Sequence, residues 1–148
     1  MVFNICQSVG YTYILWYLLQ NNAQKTIHAL VKTALVFGCL VSIYALFETI
    51  TRSNPLLNSL VLSGCYIESP LITEIRFGLK RAQAIFSMHT TLGGVMLFNY
   101  ALLLIAYKTA YFKKTRINII VICLCAMCIF LTGARSCIIG AVMCTGML

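Results

Sequence analysis

Two arginines, Arg81 and Arg135, stand where apolar runs meet a polar boundary, beside small or polar residues. A guanidinium is a planar fork that can hold a phosphate through two parallel N–H bonds. Placement at a membrane interface also avoids much of the roughly 2.5–3.5 kcal/mol that insertion scales assign to an Arg at the bilayer centre. The chemistry open to both residues is therefore recognition of a phosphate. An interfacial arginine that bonds lipid headgroups and does nothing else is an equal alternative, and a Lys replacement separates the two: it is harmful to bidentate phosphate geometry and nearly silent in an anchor.

Eight cysteines offer a second kind of chemistry, and Cys123, Cys125, Cys128, Cys137 and Cys144 lie close together in sequence. Most fall inside apolar runs with no His or carboxylate beside them, so they read as small hydrophobes. We expect no metal site and no cofactor.

The elements that would position these residues are helices in lipid. The chain is 61% hydrophobic, has three acidic residues and no Asp, and contains unbroken apolar runs near the length of a bilayer, too much apolar surface for a soluble core of this size. Backbone groups in lipid need internal partners, and long runs without alternation favour helices over a barrel. The expected fold class is all-α, a polytopic transmembrane helix bundle. The formal charge of +8 does not imply nucleic acid, because the basic residues cluster at the ends of apolar runs.

Spans are expected at about Val2–Leu19, Ile27–Ile50, Leu92–Tyr107 and Ile117–Ala134, with a polar turn at Gln20–Lys25 between the first two. Residues 1–50 thus read as two transmembrane helices, 51–91 as an outer loop, and 92–148 as two further spans and the start of another. Lys25 and Lys32 at one turn, and Lys108, Lys113, Lys114 and Arg116 at another, place those loops in the cytoplasm by the positive-inside rule. Glu48, Glu68, Glu74, Arg52, Arg76, Lys80, Arg81 and Arg135 then fall on the outer side, with Glu48 closing the second span. In the outer loop, Ser69-Pro70 reads as a helix start, and Leu71, Ile75, Leu79, Ala82 and Phe86 recur at helical spacing. We expect an amphipathic helix there, lying at the outer interface and weakened by Gly78. Ser136–Leu148 would span only about 20 Å against a core of about 30 Å, which is expected of a chain continued elsewhere.

Two stretches resemble the O-antigen ligase and polymerase-like membrane proteins, multi-span enzymes that handle undecaprenyl-diphosphate-linked glycans on the outer face of the bacterial inner membrane. Arg81-Ala82-Gln83-Ala84-Ile85-Phe86, continuing through Ser87-Met88-His89-Thr90-Thr91-Leu92-Gly93, is similar to the family's Arg-x-x-Gly-x-Phe stretch, its Pro/Asn-containing turn and the Gly that opens the next span. Leu131-Thr132-Gly133-Ala134-Arg135-Ser136 is similar to the family's Leu-Thr-x-Ser-Arg-Gly/Ser hairpin. The resemblance covers about residues 76–148. Ala84 stands where the family often has Gly, His89-Thr90 replace the Pro/Asn pair, and Ala134 replaces Ser.

The resemblance implies a metal-independent glycan transferase in which Arg81 and Arg135 bind the diphosphate and stabilise charge on the leaving phosphate. Its partners would be the undecaprenyl-diphosphate-linked glycan and a lipid or protein acceptor. The acceptor hydroxyl needs a general base. His28 falls on the cytoplasmic side and no outer carboxylate is placed for the role, which leaves His89 as the candidate, although a His at a helix start is more often a capping or interface residue. Family members carry more spans and a large outer loop with a His after these motifs. A chain ending at Leu148 is accordingly expected to be a fragment, inactive alone. The alternatives are a non-catalytic membrane protein, such as part of a flippase or transporter with lipid-anchoring arginines, or an accessory subunit.

Overall fold

The computed structural model describes residues 2–64, 75–76, 79–86, 88–109 and 116–147. Five helices account for most of them: α1 (Val2–Thr51), α2 (Pro55–Leu62), α3 (His89–Lys108), α4 (Arg116–Thr132) and α5 (Arg135–Met147). A short antiparallel ladder joins β1 (Ile75–Arg76) to β2 (Leu79–Lys80), pairing Ile75 with Lys80 and Arg76 with Leu79. Residues 1–33 and 34–148 form separate compact units, and the site described below lies wholly in the second.

Gln20–Lys25 is helical within α1, where a turn was expected. The stretch carries polar side chains but no Gly or Pro, and Gln, Ala and Lys are good helix formers, so polarity alone does not break the helix. Lys25 and Lys32 consequently lie exposed on α1 and do not flank a loop. The stretches Ala23–Thr51 and His89–Lys108 are long and apolar enough to cross a membrane, whereas the apolar helices at Arg116–Thr132 and Arg135–Gly146 are shorter.

Within the second unit the helices bury stripes at helical spacing. In α1 these are Ala34, Val41, Ala45 and Glu48; in α3, Leu92, Met96, Leu103 and Ala106; in α4, Val121, Cys125, Cys128 and Ile129. Helix α3 packs on both α4 and α5. The opposite faces are also apolar: Leu40, Ile43 and Ile50 on α1, Phe98 on α3 and Val142 on α5 are exposed. A water-solvated helix would carry charge there, and helices apolar all round are those that lipid or other protein must cover. Asn99 ties α3 to α1 by donating from Nδ2 to the Ala34 carbonyl at 3.1 Å, a polar contact of the kind that joins helices in lipid.

The amphipathic helix expected in the outer loop is not formed by its described residues. Ile75–Arg76 and Leu79–Lys80 are extended, and Arg81–Gln83 continue without helical structure. The spacing of four fits a period of two as well as one of 3.6, and Gly78 lowers helix propensity. Tertiary partners decide the outcome. The N–H groups of Ala82, Gln83 and Ala84, which a helix would direct to its own preceding turn, go instead to the Leu131 carbonyl and the Glu48 carboxylate. The expected helix start at Ser69-Pro70, together with Leu71, Glu68 and Glu74, lies outside the described residues, as do Lys113 and Lys114 of the basic loop.

Candidate functional site

The site forms where the C-terminal ends of α1 and α4 meet the N-terminal ends of α3 and α5, around the segment from Lys80 to Ala84. Glu48 lies one turn before the end of α1 and is wholly buried. One carboxylate oxygen, Oε2, accepts N–H bonds from Gln83 at 3.0 Å and Ala84 at 2.8 Å. The other, Oε1, lies 3.3 Å from the Lys80 ammonium, itself only 4% exposed. Two successive backbone N–H groups aimed at one anion make a concavity of the nest type. A carboxylate so near a helix C-terminus faces an unfavourable dipole, and the ammonium and two amides offset it.

This arrangement holds a strained turn. Ala84 has φ +50°, in the left-handed region that an L-residue other than Gly enters at a cost of about 1–2 kcal/mol. The turn closes with the Phe86 N–H bonding the Gln83 carbonyl at 3.0 Å. Both polar groups of Ala84 are fixed from α1 and the loop after it. Its N–H goes to Glu48, and its carbonyl accepts from Asn54 Nδ2 at 2.7 Å. Asn54 Oδ1 in turn accepts from the Tyr44 hydroxyl at 2.8 Å. Tyr44 and Glu48 are four residues apart and share one face of α1, which is why one helix can grip the turn twice. Asn54 is placed by the end of α1, where Arg52 takes φ +56°, and by Pro55 opening α2, a favoured place for proline.

Arg81 is carried by the same segment and is buried, 7% exposed. The Ala82 N–H bonds the Leu131 carbonyl at 3.2 Å, docking the segment on the end of α4. The Arg81 guanidinium then lies across Gly133: a β-carbon on that glycine would sit 3.2 Å from Nε and 3.7 Å from Cζ. Gly133 has φ +63° and ends α4, with its N–H on the Phe130 carbonyl. Glycine is favoured there on two counts, its backbone conformation and the close approach of the cation above it.

The structure brings Arg81 and His89 together, with Nη1 2.7 Å from Nε2. A guanidinium has only donors, so His89 Nε2 accepts, and the ring is neutral with its proton on Nδ1. His89 is the first residue of α3 and is half-buried. As a proton acceptor it has its lone pair engaged by Arg81 in this state. Arg135 is exposed at the first residue of α5, two residues beyond Gly133. Its helix begins two residues after the glycine that Arg81 covers, and the amides of a helix N-terminus favour an anion.

Three residues that complete the site were missed in the sequence: Glu48, Lys80 and Asn54. Glu48 carried a usable signal, being the one carboxylate inside an apolar helix, and an ionisable residue in such a helix is a functional candidate by default. Lys80 and Asn54 carried none, because their partners lie 32 and 30 residues away. The thiols of Cys125, Cys128 and Cys137 are free and buried within α4 and α5. No family model, curated protein or solved structure matches the chain.

Proposed function

We propose that this chain is a membrane glycan transferase, or part of one, of the O-antigen ligase type, in which Arg81 and Arg135 hold the diphosphate of an undecaprenyl-linked glycan at the outer face of the bacterial inner membrane. The supporting observation is the meeting of the two stretches that carry the resemblance: Ala82 bonds Leu131, and the Arg81 guanidinium covers Gly133. A second observation adds to it. Ala84, where the family often has Gly, has the positive φ that glycine adopts most readily.

In this reading the acceptor hydroxyl attacks the anomeric carbon, the bond from that carbon to the diphosphate oxygen breaks, and the diphosphate leaves with the electron pair. The arginines stabilise the charge on the departing phosphate, and no metal is needed for this. The acceptor's proton goes to a base. His89 is the described candidate beside Arg81, and its Nε2 becomes available once the Arg81 N–H turns from the imidazole to a phosphate oxygen.

The test is photo-crosslinking in proteoliposomes with a polyprenyl diphosphate carrying a diazirine next to the diphosphate. Labelling within residues 79–89 and 131–136, competed by unlabelled diphosphate and not by the corresponding alcohol, is the expected result. Labelling spread along the apolar faces of the helices would overturn the reading. The second reading, a lipid-anchoring protein without catalysis, is favoured by the exposure of Arg135 and predicts equal competition by any anionic phospholipid.

A further inference from the structure

We infer that Glu48 is the positioning residue of this site: its carboxylate fills the two-amide concavity at Gln83 and Ala84, pairs with Lys80, and so holds the left-handed turn that aims Arg81 at Gly133 and His89. The inference rests on the diphosphate reading for its consequence and on geometry alone for the positioning itself.

The strain of the turn lies at Ala84. Its φ of +50° is unfavourable for alanine, so the turn persists only because other contacts fix it. Glu48 is the largest of these, since a single buried oxygen accepts from both amides while its twin faces the ammonium of Lys80. Arg81 lies between Lys80 and Ala82, whose N–H is docked on Leu131. The backbone around Arg81 is therefore held on one side by the end of α4 and on the other by Glu48. Loss of the Glu48 charge leaves two amides and an ammonium buried beside a weaker acceptor, and the turn is free to relax toward φ values that alanine prefers. The Arg81 guanidinium then loses its register over Gly133 and its bond to His89. Glu48 bonds the Gln83 and Ala84 amides and pairs with Lys80, so its positioning of Arg81 acts through the segment those residues form.

Two consequences separate this from a general loss of stability. Glycine at 84 adopts the left-handed conformation without the alanine penalty, so Ala84→Gly is expected to restore part of what Glu48→Gln removes. Removal of Glu48 is also expected to lower diphosphate affinity only while Arg81 is present to be positioned.

The experiment uses the full chain in nanodiscs, with two readouts on wild type, Glu48→Gln, Glu48→Asp, Arg81→Lys, Glu48→Gln/Ala84→Gly and Glu48→Gln/Arg81→Lys. The first readout is the 15N spectrum of the two histidines at alkaline pH, assigned with His28→Gln, which reports the His89 tautomer without any ligand. Wild type is expected to hold the Nδ1–H form. Glu48→Gln is expected to lose that preference, Glu48→Asp to lose it in part, and Glu48→Gln/Ala84→Gly to recover it. The second readout is affinity for farnesyl diphosphate by calorimetry, expected to fall at least tenfold in Glu48→Gln, to recover at least threefold with Ala84→Gly, and to show no further fall when Glu48→Gln is added to Arg81→Lys. An unchanged His89 tautomer in both Glu48 variants overturns the inference, as does an equal loss of affinity from Glu48→Gln with and without Arg81. Should Glu48→Gln fail to fold, Glu48→Asp carries the same two comparisons. A tautomer that depends on Glu48 in a wild-type chain that binds no diphosphate would uphold the positioning and remove the diphosphate reading alone.

Discussion

The Nε atom of Arg81 stands 3.2 Å from the place a β-carbon on Gly133 would occupy, so a buried cation and a left-handed glycine from two distant parts of the chain are fitted to one another. The contact joins the segment that follows β2 to the tip of the α4–α5 hairpin. It sets the position of Arg81 relative to the N-terminus of α5, where Arg135 begins the helix.

Gly133→Ala is expected to disturb this contact on two counts. The backbone conformation costs about 1–2 kcal/mol for a residue with a β-carbon, and the added methyl meets the guanidinium at tighter than ordinary contact. A fall in thermal stability together with weaker diphosphate binding is the expected outcome. A chain with Gly133→Ala that keeps full affinity would show that Arg81 does not act from its place over the turn.

The Glu48–Lys80 pair makes a different prediction, because both side chains are almost entirely buried. Breaking such a pair by removing one partner costs about 3–5 kcal/mol, whereas replacing both with apolar residues of similar volume is far milder. Glu48→Leu is therefore expected to destabilise strongly, and Glu48→Leu/Lys80→Met to be more stable than Glu48→Leu alone, despite carrying two changes. Chemical denaturation of the two variants in matched detergent checks the order. Additive losses would mean that the two charges do not sense one another.

A third prediction concerns the way α1 meets its neighbours. A β-carbon on Gly38 would collide with the Asn99 amide and come within 2.8 Å of the Cys125 sulfur. Gly38→Ala is expected to overpack this contact at a cost of about 1–3 kcal/mol. Gly38→Ala/Cys125→Ala removes the sulfur on one side and should recover part of the loss, read as the shift in melting temperature relative to the single variant. Full tolerance of alanine at 38 would contradict the close approach of α1 to α3.

Helices α3, α4 and α5 were legible in the sequence, whereas α2 fell inside the stretch read as an outer loop and the unbroken α1 was read as two spans. Helices α3, α4 and α5 begin and end within three residues of their apolar runs because their backbone bonds are local, and hydrophobicity marks how far those bonds extend. Arg81 and Arg135 were singled out by charge placed against apolar surroundings, and His89 as the histidine expected on the outer side. The segment from Lys80 to Ala84 answers to partners outside itself. Its amides go to Glu48 and Leu131, its carbonyl at Ala84 to Asn54, and none of these pairings leaves a trace in local periodicity. The turn expected at Gln20–Lys25 failed in the opposite sense, since polar side chains there lie along a backbone that has no reason to leave the helix. Ala84 marks the limit of residue-type reasoning: an alanine gives no local sign of a positive φ.

The central claim is that Arg81 and Arg135 hold a diphosphate, and the most direct measurement is calorimetric titration of the purified chain with farnesyl diphosphate, comparing wild type with Arg81→Lys and Arg135→Lys. Lysine keeps the charge but loses the planar fork, so both substitutions are expected to weaken binding, by about tenfold for each bidentate contact reduced to a single one. Farnesyl monophosphate should bind wild type more weakly than the diphosphate. Equal affinity in wild type and both lysine variants would contradict the account and leave the arginines as anchors for lipid headgroups.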